Sequence, residues 1–249
     1  MSARRGFWIS LVMLLGTWET YVRVSGINPF FLVPPSVVFE RLGRWLVTGQ
    51  LFVDLGASVL LLAAGLGLAA AVAIPAGLSL GVSRSLADAF GPYLLLAYAT
   101  PAPVLLPMLL MWFGFTALTR VLIVAMFAFL PILLNVWWGV RGLDASWLRV
   151  ARVFCASPGE LLLRVVLPGS VGSVLASLRI GGGLALIGLF IAESYGASHG
   201  VGYQTIVGAK RMDVTGLLAG LLLLGLLGVA LEQGLSAAER AFAPWRNGS

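Results

Sequence analysis

Long apolar runs alternate with short polar breaks along the whole chain. Six runs stand out, at about 7–24, 57–82, 91–114, 119–139, 171–195 and 214–235. Each approaches the roughly 20 residues that an α-helix needs to cross a bilayer. The pattern therefore predicts an all-α, polytopic membrane protein with about six transmembrane helices, in a single domain over residues 1–249. Glu19 falls near the end of the first run, where a pairing with Arg23 at i,i+4 is expected. Arg4 and Arg5 precede that run, but Trp18-Glu19-Thr20 stands where small residues and a cleavage site would follow in a signal peptide.

Two stretches between the runs are patterned without being apolar enough to span. Residues 36–54 place Phe39, Leu42, Leu46 and Val53 on one helical face, with Glu40, Arg41 and Arg44 elsewhere. After the turn-forming Pro34-Pro35, this predicts an amphipathic helix at the outer interface. Residues 140–168 form the longest loop. Trp147, Val150, Ala151 and Phe154 repeat at helical spacing after Asp144. Ser157-Pro158-Gly159-Glu160 then has the layout of a capping box with proline at the first helical position. Leu161, Leu162, Val165 and Val166 form an apolar patch, and Pro168 is expected to end the element. Helix, sharp turn, helix is the prediction. By pattern alone it fits a surface hairpin lying on the membrane or a docking element for another protein.

Composition agrees with a bilayer and narrows the chemistry. The 249 residues are 59% hydrophobic and 10% charged, with mean hydropathy +0.99. Soluble domains carry about 25% charged residues. Six spans use about half the chain and leave no room for a separate catalytic domain. Lys210 is the single lysine and follows Ala209. The Gly-Lys-Ser/Thr of a phosphate-binding loop is therefore absent, and with it unaided ATP hydrolysis. One cysteine, Cys155, excludes an internal disulfide and a cysteine-cluster metal site. One histidine, His199, excludes a His-Glu-x-x-His zinc site.

The net charge of +6 reads as arginines flanking spans rather than as nucleic-acid binding. With a cytoplasmic N-terminus, the inside carries Arg4, Arg5, Arg84, Arg141, Arg149, Arg152, Arg164, Arg179, Arg240 and Arg246. The outside carries Arg23, Arg41, Arg44, Arg120, Lys210 and Arg211. The positive-inside rule then predicts both termini in the cytoplasm.

Several intramembrane residues are candidates for function. Pro101, Pro103 and Pro107 fall within seven residues. Each interior proline removes a helical hydrogen bond, and the freed carbonyls need protein or water partners. A kinked, path-lining helix with open carbonyls near Thr100–Pro103 is favoured over a packing kink. Asn135, beside Pro131, is expected to bond across helices. Gly181-Gly182-Gly183 and Gly188 suit close helix packing. Glu193 is an acid at the outer end of a span, functional or simply paired.

The stretch 149–168 resembles the EAA loop of ABC importer permeases. Arg149-Val150-Ala151, Cys155, Val165 and Leu167-Pro168 keep that loop's spacing, with Arg149 where the family has Glu and Cys155 where it has Gly. Thr100-Pro101-Ala102-Pro103, Leu106-Pro107, Trp112-Phe113-Gly114, Phe129–Asn135, Gly139-Val140-Arg141, Leu178-Arg179-Ile180, Ala192-Glu193 and Gly200–Tyr203 are similar to the nitrate/sulfonate/taurine branch. Together these cover about residues 30–245.

The resemblance implies a type I ABC importer permease fold with a cytoplasmic coupling helix, in a bacterial inner membrane. It implies a homodimer of permeases, two copies of an ABC ATPase, and a periplasmic or lipid-anchored solute-binding protein. No cofactor is expected on this chain, with ATP and Mg in the ATPase. The ATPase-docking loop would be Arg149, Val150, Ala151, Arg152, Cys155, Ser157, Pro158, Gly159, Leu167 and Pro168. Thr100, Pro101, Pro103, Pro107, Asn135 and Glu193 would line the path of a small anion. A self-contained channel or secondary transporter is the competing reading. It would predict an internal inverted repeat, and none is visible.

Overall fold

The computed structural model describes residues 3–242, without the side chains of Arg4, Ala145, Leu148, Val150, Arg152 and Pro158 and of three further terminal residues. Arg246 lies outside the described residues. Every described element is helical. The helices are α1 (Ala3–Ser25), α2 (Pro35–Val47), α3 (Gln50–Val82), α4 (Arg84–Ala99), α5 (Leu106–Phe113), α6 (Ala117–Arg141), α7 (Ala145–Val153), α8 (Pro158–Leu161), α9 (Leu167–Ser194), α10 (Val201–Lys210) and α11 (Val214–Phe242).

Four described helices are long and apolar enough to cross a membrane: α3, α6, the run Gly159–Ser194 and α11. The pair α4 and Ala102–Phe113 makes a fifth if it is taken as one broken span, bent by 92°. The expected count was about six. The difference is α1, which forms over the first apolar run but is not among these helices.

The chain folds into two compact units. One holds the residues up to Ser58 with Ala197–Leu226, and the other holds Val59–Gly196 with the residues from Leu227.

In the first unit, Val38 of α2 and Val33 just before it pack against Ala219 of α11, with Leu42, Trp45, Leu218 and Leu222 around them. This corrects the predicted amphipathic helix. It ends at Val47, because Gly49 turns the chain at φ +77°. Val53 therefore belongs to α3. Phe39 and Leu46 are about half exposed, and the face that packs is Val38, Leu42 and Trp45. Glu19 pairs with Arg23 at 2.6 Å, as expected, and its second oxygen accepts the Ser36 N–H at 3.0 Å.

In the second unit, α6 is the central helix and the most buried. Glycines of two neighbours sit directly on it. Gly65, Gly77 and Gly81 of α3 meet Val124, Val136 and Val140. Gly181 and Gly188 of α9 meet Ile132 and Phe127. The order of contacts makes α3 parallel and α9 antiparallel to α6. Small residues let backbones approach where no hydrophobic effect drives helices together. Gly182 faces Leu231 and Leu235 of α11, whereas Gly183 faces open space.

Candidate functional site

The loop 140–168 folds as helix, turn, helix. Asp144 starts α7 by accepting the Ser146 N–H at 2.8 Å. That bond, with the Ser146 hydroxyl, holds the Asp144 carboxyl below its ordinary pKa. Helix α7 ends at Val153, and Cys155 turns the chain with φ +52°. A left-handed conformation costs an ordinary L-residue roughly 1–2 kcal/mol and glycine almost nothing. The backbone thus gives a physical reason for glycine at this point of an EAA-type loop, and Cys155 occupies it at a cost.

The capping box is present in both directions. The Glu160 N–H donates to Ser157 Oγ at 3.3 Å, and the Ser157 N–H donates to Glu160 Oε2 at 3.1 Å. The element does not end at Pro168. It widens into a π-helical turn over Leu162–Val166 and continues as α9, with Pro168 in that helix's first turn. The Leu167 N–H bonds back to Leu162. Such a turn is one of the devices that let a helix accommodate a proline ring.

The two arms of the loop enclose a groove of about 760 Å³ lined by Trp147, Ala151, Phe154, Ala156, Glu160, Arg164, Val165, Pro168 and Gly169. Ala151 is buried in its wall, while Trp147 and Phe154 are 51% and 80% exposed. Gly169 lies under the Trp147 ring, where a Cβ would come within 3.0 Å. Arg149, Cys155, Ser157 and Gly159 are exposed and are not among the residues lining the groove, and Leu167 is half-buried. The side chains of Val150, Arg152 and Pro158 lie outside the described residues.

The second cluster is the break between α4 and α5. Helix α4 stops at Ala99, where Thr100 Oγ1 donates back to Leu96 O at 3.0 Å. Pro101 precedes a 3-10 turn over Ala102–Leu105 that contains Pro103, and Pro107 lies in the first turn of α5. Thr100, Pro101, Pro103 and Pro107 are all exposed. Asn135 lies on α6, and it does not bond across helices. Its Nδ2 donates to Pro131 O within the same helix at 2.8 Å. Glu193 is 1% exposed near the end of α9. His199 is exposed.

Two features escaped the sequence reading. The first turn of α10 is held by α3: Gly200 N–H donates to Asp54 Oδ1 at 2.9 Å and Val201 N–H to Ser58 Oγ at 2.8 Å. Asp54 and Ser58 are buried, and their i,i+4 spacing in an apolar helix was the available signal. The other is Arg179 on α9. It donates to Ser236 Oγ and Glu239 Oε2 of α11, both at 2.8 Å. Its Nε lies 2.7 Å from Glu232 Oε1 as an ion pair rather than an aligned hydrogen bond. Glu232, Ser236 and Glu239 recur at i, i+4 and i+7, one face of α11. Among the described residues, no group of three or more His, Cys, Asp or Glu side chains could hold a metal ion.

Residues 73–241 match the family described as binding-protein-dependent transport system inner membrane component. That stretch includes the loop, the bent pair and α6. The chain is 27% identical to an aliphatic sulfonates transport permease protein of Bacillus subtilis, over 94% of this chain and 85% of that one. It is 29% identical to the taurine transport system permease protein of Escherichia coli, over 95% and 88%. It is 27% identical to the formylaminopyrimidine transport permease protein of Halalkalibacterium halodurans, over 94% and 93%. Among solved structures, a chain of the MetNI methionine ABC transporter in an inward-facing form aligns at TM-score 0.69 and 16% identity. It covers 80% of this chain and 97% of that one, a likeness of fold.

Proposed function

The chain belongs to the binding-protein-dependent transport inner-membrane component family, and from that premise we propose how its parts serve import and what it carries. It is a multi-pass inner membrane protein and the permease subunit of an ABC importer, a non-catalytic component that works with an ATPase and a solute-binding protein. In our reading, the groove between α7 and the α8–α9 run receives the ATPase subunit, and the bent α4–α5 pair lines the path. Two permeases of this sequence pair with two ATPase subunits. ATP and Mg bind those ATPase subunits rather than this chain. Helix α1 is a sixth pass, and both termini are cytoplasmic. The excess of arginine on the assigned inner side supports that orientation. No nucleic acid is involved.

The cargo in this reading is a small anion of the sulfonate type. Two of the relatives above are named for aliphatic sulfonates and for taurine. The observation that carries the assignment of parts is that one continuous family match runs through the capped loop and the proline-broken helix together.

The test is uptake into proteoliposomes holding the permease with its ATPase and solute-binding protein. ATP-dependent accumulation of taurine or ethanesulfonate is expected. Accumulation of formylaminopyrimidine with no sulfonate uptake would overturn the anion reading and leave the family assignment standing.

A further inference from the structure

Among the described residues, six arginines have a charged or aromatic partner. Arg23, Arg41, Arg44, Arg164 and Arg179 are ion-paired, and Arg141 lies over the Trp137 ring at 5.3 Å. The described cations without such a partner are exposed, with one exception. Arg120 is half-buried in the first turn of α6, and its Nε is fully buried with no hydrogen-bond acceptor. No carboxylate among the described residues pairs with it.

The surroundings of Arg120 are built rather than loose. Gly114 closes α5 at φ +65°. Thr119 Oγ1 donates to Gly114 O at 2.7 Å, and Thr116 Oγ accepts the Thr119 N–H at 3.2 Å. These bonds fix the turn that joins the bent α4–α5 pair to α6, and they fix where Arg120 starts. A partly buried ionisable side chain at the end of a membrane helix is expensive unless it is paired, so an unpaired one is a candidate functional site. A guanidinium offers a planar fork of donors that matches an oxyanion. The positive end of the α6 dipole adds to the same field.

We propose that Arg120 is the cation that recognises the anionic solute at the outer end of the translocation path. The proposal rests on the anion reading above. The guanidinium supplies the countercharge that a sulfonate loses on leaving water and its binding protein. The transported anion in turn satisfies a donor that the protein leaves open.

The test uses the reconstituted complex of permease, ATPase and binding protein. Taurine and ethanesulfonate uptake is measured for the wild type, Arg120→Lys and Arg120→Gln, beside ATP hydrolysis stimulated by the loaded binding protein. Arg120→Gln is expected to assemble and hydrolyse ATP normally while uptake per ATP falls roughly tenfold to a hundredfold, the weight of one charge-assisted hydrogen bond. Arg120→Lys should keep most of the uptake. Equal uptake by Arg120→Gln and the wild type would overturn the proposal. So would loss of assembly in both variants, which would make Arg120 an anchor of α6. A wild type that takes up no anion at all is a failure of the cargo reading instead.

Discussion

The carboxylate of Asp54 accepts a hydrogen bond from the backbone N–H of Gly200 at 2.9 Å, across 146 residues of sequence. Asp54 is 3% exposed, so removing it strands a buried donor. A hydrogen bond to a charged group contributes about 1.5–3 kcal/mol, and a stranded buried donor costs a similar amount. Asp54→Ala should lower the melting temperature of the purified protein, and Asp54→Asn, which keeps an acceptor, should lower it less. Equal melting of Asp54→Ala and the wild type would remove the buried bond from any account of stability.

The loop makes a second prediction with two arms. Ala151 forms a wall of the groove, so Ala151→Asp should abolish the stimulation of ATP hydrolysis by loaded binding protein without lowering expression. Arg149 is exposed and does not line the groove, and Arg149→Glu should keep that stimulation. Ser157→Ala removes an N-terminal cap worth about 1 kcal/mol and should weaken coupling without abolishing it. Full coupling in Ala151→Asp would rule out the groove as the docking surface.

How much of this was legible in the sequence depends on range. The reciprocal Ser157–Glu160 cap and the Glu19–Arg23 pair are contacts within four residues, and their spacing alone fixes the geometry. The break at Thr100–Pro103 was equally visible, because proline acts on its own turn. The packed face of α2 was not. Val38 is buried and Trp45 half-buried because Ala219 and Leu218 of α11 lie against that side, and no local pattern carries this. Asn135 turned to its own helix because Pro131 O was in reach, a choice between partners that composition cannot rank. The continuation of the helix through Pro168 depended on a five-residue π turn that leaves no signature in the hydrophobic period.

Cys155 predicts a gain rather than a loss. At φ +52°, glycine removes a conformational cost of roughly 1–2 kcal/mol, of which its greater freedom in the unfolded chain takes back about half. Cys155→Gly should therefore raise the melting temperature slightly and preserve coupling. Cys155→Val, with a branched side chain in the same conformation, should lower it. A Cys155→Gly protein that melts below the wild type would show that the thiol makes a stabilising contact.

The link between α2 and the start of α11 should weaken in acid. Arg41 Nη1 lies 2.7 Å from Asp213 Oδ2, and Asp213 Oδ1 accepts the Gly216 N–H at 3.0 Å. Burial pushes the Asp213 carboxyl up, but the Gly216 N–H and the Arg41 guanidinium outweigh it, so its pKa lies below the ordinary value. A lowered pKa means that the folded state favours the ionised form. The stabilisation is then complete above the unfolded value of about 3.9 and is lost as pH falls through the lower, folded value. Asp213→Asn should flatten the acid limb of a melting-temperature profile below about pH 4. An unchanged acid limb would show that other carboxylates control it.

Two glycines of α3, ten residues apart, make the sharpest test of how that helix packs. A Cβ on Gly77 would meet the backbone oxygen of Leu133 at 2.7 Å and the Val136 side chain at 2.8 Å, whereas a Cβ on Gly67 would meet nothing within 4 Å. A backbone carbonyl inside α6 cannot move aside as a flexible side chain can. Gly77→Ala should therefore separate the helices at a cost of about 1–3 kcal/mol, the usual penalty of overpacking. Gly67→Ala changes only helix propensity and should be neutral or stabilising by up to about 1 kcal/mol. The same substitution in the same helix thus has opposite signs, and thermal melting of the two variants side by side reads them. Equal melting of the two would mean that α3 does not rest on α6 through Gly77, and the close approach would have to be abandoned.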